Sequence, residues 1–287
     1  MSNKLFDLTL RVAVELGIVR QGTATGGSTN TIIDTNLLAT LDDEYYKLGT
    51  YWITDTSDDG APEGESGVIA DNVGSTGTVT LQDVVSQAVA AGDKFAMAVP
   101  RYKLYELKQQ INHALYMDGY IPVIDTSLTT AANQREYSLP AAATRDLRQV
   151  NIYSNLDSDR NIPRPAYNWT IRHSATGSVD TLVLNRDYDA GLTIELSYAT
   201  QHASLEVTTD ELNEAIHPDR IVYTAAAGAM RAYRDRTRLK HLEGSIERLD
   251  QMAEIARQKH PLPPLPTRQS KLTIVGRSLD AGWGSDL

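Results

Sequence analysis

The chain has 287 residues, 41% of them hydrophobic, a net charge of −10 and no cysteine. Disulfides, thiolate zinc sites and cysteine nucleophiles are thereby excluded, and no apolar run reaches the roughly 18 residues of a membrane-spanning helix. Between Asp34 and Lys94 stand twelve acidic residues against Lys47 and Lys94, which accounts for the whole net charge and argues against a dedicated nucleic-acid binder.

The opening segment 3–19 spaces Leu5, Leu8, Val12, Leu16 and Val19 as one helical stripe, with Asn3 as a cap and Gly17 or Gly22 as the stop. Asp7 and Arg11 interrupt it, unlike a secretory leader, so a soluble chain made in the cytosol is expected. From residue 20 the pattern turns small, polar and rich in Gly and Thr. Short β-like runs follow to about Val99: TNTIID, GTYWITD, SGVIADN, GTVTL and KFAMAV, separated by Gly-containing turns. Asp42–Tyr46 reads as a short helical turn among them, and 81–91 as a short helix. Helical spacing returns over 101–118, with Leu104, Leu107, Ile111 and Leu115 on one face and Gly119 as the stop.

A second set of β runs begins at 121: IPVIDTSL, REYSLP, DLRQVNIYS, YNWTIRHS, DTLVLN and LTIELSYAT. In the last, Leu192, Ile194, Leu196 and Tyr198 alternate with Thr193, Glu195 and Ser197, predicting one buried and one solvated face. Residues 205–217 form an irregular lead-in. From Pro218, suited to a first turn, helical spacing continues to Lys259, which predicts one helix of roughly 60 Å. Four prolines in the dozen residues beyond Lys259 then impose an extended segment.

The expected fold class is α+β: a helical bundle with one long C-terminal helix, two inserted sandwich- or barrel-like β domains and an extended arm. The expected boundaries are 1–20 and 100–121 for the first two parts of the bundle, 21–99 for the acidic β domain, 122–204 for the second β domain, 205–260 for the long helix and 261–287 for the arm.

Motifs with chemistry are few. The loop Asp55–Glu65 imitates a calcium loop, but Ser57 and Ser66 stand where ligands are needed, so a solvated turn explains it better. Gly22–Gly27 lacks the Lys-Ser/Thr pair of a phosphate loop. Histidines 113, 173, 202, 217, 241 and 260 form no ligand-spaced pair, and His217-Pro218-Asp219 reads as a helix start. No catalytic residue, metal or cofactor is expected. Two surfaces remain. The basic cluster Arg231, Arg234, Arg236, Arg238 and Lys240 suits DNA phosphates or acidic residues of a neighbouring copy. The arm, with Leu262, Leu265, Leu272, Ile274, Val275 and Trp283, suits strand addition or groove docking on a partner.

The stretches REYSLP (135–140), DLRQVNIY (146–153), NWTIR (168–172), DTLVL (180–184), LTIELSY (192–198) and HPDRIVYTAAAGAMRAYRDR (217–236), in their order with the helices before them, resemble the head-to-tail adaptor proteins of tailed bacteriophages. The front module is similar to β modules of phage virion proteins. The resemblance covers the layout of about residues 1–260. It implies a non-enzymatic virion protein of the neck, made in the host cytoplasm. It further implies a homo-oligomeric ring, twelve-fold in that family, with DNA passing through its channel, tail or neck proteins as neighbours, and an arm reaching the portal. Another tail or baseplate component is the alternative within that class. A carbohydrate-active or metal-dependent enzyme in the β domains is the alternative outside it, and no paired-acid or metal motif favours it.

Overall fold

The computed structural model describes residues 3–57, 60, 62–154, 162–174 and 179–269. The fold is mixed α and β, with four helices and several antiparallel ladders among those residues. The chain divides into two compact units, residues 1–120 with 201–263, and residues 121–200 with 264–287. No helix among the described residues is long and apolar enough to cross a membrane.

In the first unit, α1 (Leu5–Glu15) buries Leu5, Leu8 and Val12. It stops short of the predicted 19 because Gly17 turns left-handed at φ 68. The acidic segment forms β1 (Val19–Thr23), β2 (Gly26–Gly27), β3 (Thr31–Ile33), β4 (Thr50–Asp55), β5 (Ser66–Val73), β6 (Thr78–Leu81) and β7 (Lys94–Ala98). These make one seven-stranded sheet in the order β1-β7-β4-β5-β6-β3-β2. The two ends of that order are consecutive in the chain. Ala24 still donates to the Asp93 carbonyl beside β7, while Thr25 already donates to Ile33 in β3, both at 2.7 Å. Inside lie Ile32, Tyr51, Ile53, Ile69, Val79, Phe95 and Met97. Trp52 points elsewhere: fully buried, it donates its indole N–H to Thr9 Oγ1 of α1 at 3.0 Å.

Two local expectations fail in this segment. No helix forms at 81–91. Val85 and Val89 instead donate backbone N–H groups to the Thr29 and Ser28 carbonyls while their side chains enter the core, a larger gain than one short helix offers. Residues 43–48 are turns rather than helix, with Glu44 and Leu48 at φ 63 and 64 and Tyr46 buried.

Helix α2 (Leu104–Asp118) buries Leu104, Leu107, Ile111 and Leu115 as its spacing predicts, and Glu106 reaches back to the Lys103 N–H at 3.3 Å. The long C-terminal helix is corrected. Helix α3 covers Pro218–Thr237, Arg238 is left-handed at φ 58, and α4 covers Glu243–Lys259. The two helices run back along each other, so that Arg231 pairs with Asp250 and Arg234 with Glu243. A single helix leaves the stripe Ile246, Leu249, Ala253 and Ala256 uncovered within the unit; folding back buries it. Burying Ile246 and Leu249 gains about 1.5–3 kcal/mol each, against about 1–2 kcal/mol for one left-handed residue.

The second unit contains β8 (Tyr120–Thr129), β9 (Glu136–Ser138), β10 (Leu147–Ser154), β11 (Ile162–Pro165), β12 (Thr170–Arg172), β13 (Thr181–Val183) and β14 (Thr193–Gln201). A sheet in the order β11-β10-β14-β8 and a sheet β12-β13-β9 share a core of Tyr137, Val150, Leu182, Ile194 and Leu196. The alternation predicted for β14 gives way to burial of every residue from Ile194 to Ala199. Glu195 tolerates this because Asn151 Nδ2 and Tyr153 Oη donate to its two oxygens at 2.7 and 2.5 Å. β11, unread in the sequence, is an edge strand with prolines at 163 and 165.

Candidate interaction surfaces

The basic cluster is divided by the turn after α3. Arg231 donates to both oxygens of Asp250 on α4. Arg234 donates to Asp235 at 2.7 and 2.9 Å and to Glu243 at 2.8 Å. Arg236 reaches Glu106 on α2 at 2.7 Å and lies over the Tyr233 ring, 5.8 Å from its centroid. Burial alone raises the Glu106 carboxyl, but the Arg236 guanidinium and the Lys103 N–H outweigh it and hold the group below its usual range. Three of the five cations thus tie α3 to α4 and α2. The other two, Arg238 and Lys240, are exposed at the turn, and no ion pair engages either among the described residues.

A second cationic feature escaped the sequence reading. Arg220 is 7% exposed and donates to both oxygens of Asp118, which is 2% exposed, at 2.8 and 2.9 Å. Its remaining nitrogen donates to the carbonyls of Arg257 and His260 at 3.3 and 2.9 Å. One guanidinium therefore joins the end of α2, the start of α3 and the end of α4, where a cation also suits the helix dipole. The signal was Asp118 itself: an acid in a last helical turn opposes the dipole and needs a buried cation.

The same region holds His217, Asp219 and His260, a group with ligand atoms close enough to share a metal ion. No spacing in the sequence points to it, because His217 and His260 meet only when α4 folds back. Their rings stack with centroids 3.6 Å apart and planes within 3°. An ion between them would lie about 1.8 Å out of each ring plane, off the in-plane lone pairs that ligate metals. His217 Nδ1 instead accepts the Asp219 N–H at 3.3 Å as the cap of α3, and Asp219 pairs with Arg11. The helix start expected at His217-Pro218-Asp219 is what forms. In the acidic loop, Asp55 pairs with Lys94 and Glu65 accepts from Ser86, so these described carboxylates do not converge.

The arm divides likewise. Leu262 and Leu265 are half-buried, while Leu272, Ile274, Val275 and Trp283 lie outside the described residues. Its root is fixed to the second unit. Arg148 and Gln149 donate to the carbonyls of Pro266 and Thr267 at 3.2 and 2.9 Å, and Arg268 pairs with Asp146 at 2.9 Å. Gln269 Oε1 accepts from the Val150 N–H at 3.2 Å and the Trp169 indole at 2.9 Å.

No protein-family model matches the chain, and no curated protein matches it significantly.

Proposed function

We propose that this chain is a structural, non-enzymatic protein of a bacteriophage neck, a head-to-tail adaptor whose copies form a ring between portal and tail around the DNA channel. The observation that carries this reading is the chain order: helix, acidic β excursion, helix, β unit, helical hairpin, extended segment. Four helices drawn from three distant stretches lie in one unit, joined through two β excursions. In the finer fold reading, the seven-stranded sheet is a small barrel closed through its bent first strand, and the second unit is a two-sheet sandwich. Function then resides in geometry. The helical unit supplies the wall of the ring, and Arg238 and Lys240 at the hairpin turn meet acidic groups of the next copy. The end of the arm, with Trp283, reaches the portal. A ring is a closed heterologous assembly, so each copy uses two different faces.

Negative-stain imaging of the purified chain mixed with the portal protein encoded alongside it tests this. Rings seated on one face of the portal are expected; portals that stay bare at saturating chain concentration sink the reading.

A further inference from the structure

Strand β8 is an edge of the second unit's four-stranded sheet. Its ten residues make it the longest strand among those described. Thr130, one residue past its end, donates to the Leu192 carbonyl and accepts from the Gly191 N–H, both at 2.8 Å. By alternation, Ser127 turns its backbone groups to the opposite, outer side. There its N–H goes to Asp125 Oδ1 at 2.8 Å, a side chain standing where a further strand would. Ile124 is 66% exposed. Apart from Asp125 and Pro122 near its start, nothing in its sequence blunts an edge that invites another strand.

The chain itself names the occupant. Residues 270–287 lie beyond the described structure, and they carry the alternating run Lys271-Leu272-Thr273-Ile274-Val275. The root of that segment, Gln269, sits across the sheet from β8. Its N–H donates to the Arg148 carbonyl at 2.9 Å, and its side chain engages Val150 on the side where Ala166 also donates to Val150. From there β8 of the same chain is three strand spacings away, and a strand added on its outer side is four, about 19 Å. The link from Gln269 to Lys271 spans at most about 7 Å. The run therefore cannot lie along its own β8. We propose that residues 271–275 of one copy add as a strand to the Val123–Thr129 edge of a second copy, a heterologous contact that repeats from copy to copy. This rests on the oligomer in the reading above and assigns its connecting strand.

The cysteine-free sequence makes the test direct. Full chains carrying Ile124→Cys and Ile274→Cys are mixed and oxidised, with Val84→Cys on the first unit as control. The expected result is a disulfide between copies that forms several-fold faster for the 124–274 mixture than for 84–274 or either variant alone. Ser127→Pro and Ile124→Lys, each folded by circular dichroism, lower self-association by light scattering. Equal rates for the 124 and 84 mixtures, or parental self-association by both edge variants, overturn the proposal. If Ile274→Cys cross-links to the portal protein and never to position 124, the strand exchange falls while the neck reading stands. If the chain neither self-associates nor binds portal, both fall.

Discussion

Arg220 and Asp118 carry the largest single-residue stake in the helical unit. Both are nearly inaccessible, and the guanidinium donates to four oxygens, the two carboxylate oxygens of Asp118 and the carbonyls of Arg257 and His260, all within 3.3 Å. Replacing Arg220 by Met removes both hydrogen bonds to the buried Asp118 carboxylate and leaves Arg257, 3.8 Å away, as its paired cation, which costs up to about 3–5 kcal/mol. Urea denaturation of the intact chain measures it. Adding Asp118→Leu should restore part of the loss, because the double change removes both charges; a double variant as unstable as the single one contradicts the pairing. His217 makes a pH-dependent contribution of opposite logic. Burial first, with His260, Arg11 and Lys259 beside it, lowers its pKa, and Asp219 offsets this only in part. The unfolded chain then binds the proton more readily than the folded one. This contribution is intact above the unfolded value of about 6.5 and declines as pH falls through that value towards the lower folded one. Asn at 217 keeps a cap acceptor but cannot titrate. Urea midpoints on either side of pH 6.5 should fall less on acidification for His217→Asn than for the parent; equal losses remove His217 as the source.

The helical hairpin is the element whose correction matters most, and one substitution distinguishes it from a continuous helix. Arg238 stands at φ 58 at the end of α3. Glycine meets no steric penalty there, so Arg238→Gly should stabilise the chain by up to about 1 kcal/mol. In an unbroken helix the same change costs about 1 kcal/mol, so the sign of the shift in urea midpoint decides between the two. The turn was invisible in the sequence because Thr237–Gly244 has neither proline nor a glycine at the break, and the apolar spacing runs on past it. Complementary charges were there to be read: Arg231 with Asp250 and Arg234 with Glu243 match only in an antiparallel pair. The strands separated by Gly-containing turns were legible because alternation and turn chemistry agree locally. β1 and β2 were hidden by their Gly and Thr content, and β11 by its prolines. Gly74 shows a requirement no pattern reveals: a Cβ there would overlap the Leu41 carbonyl. Gly74→Ala should therefore destabilise the acidic β segment, detected as a lowered thermal midpoint, although alanine suits its short turn no worse by propensity.

At the scale of the whole chain, the arm is two segments with different duties, and where it is cut decides what is lost. A chain ending at Gln269 keeps the bonds from Arg148 and Gln149 to Pro266 and Thr267, the Arg268–Asp146 pair, and the Gln269 bridge to Val150 and Trp169. The Asp146 carboxyl records the same anchoring: burial raises it, yet Arg148 and Arg268 together hold it below its usual range. A chain ending at Leu262 loses all of these partners, and each hydrogen bond contributes about 0.5–1.5 kcal/mol. Truncation after Gln269 is thus expected to keep the parental thermal midpoint while losing self-association and portal attachment. Truncation after Leu262 should lower the midpoint as well. Both cuts remove Trp283, leaving Trp52 and Trp169 as emitters. Trp52 is fully buried at α1, whereas Trp169 donates to Gln269, so a red-shifted emission confined to the shorter chain assigns the loss to the arm root. Equal midpoints and equal spectra for the two chains would mean that residues 263–269 do not anchor there, and the geometry that excludes β8 of the same copy would lose its fixed point.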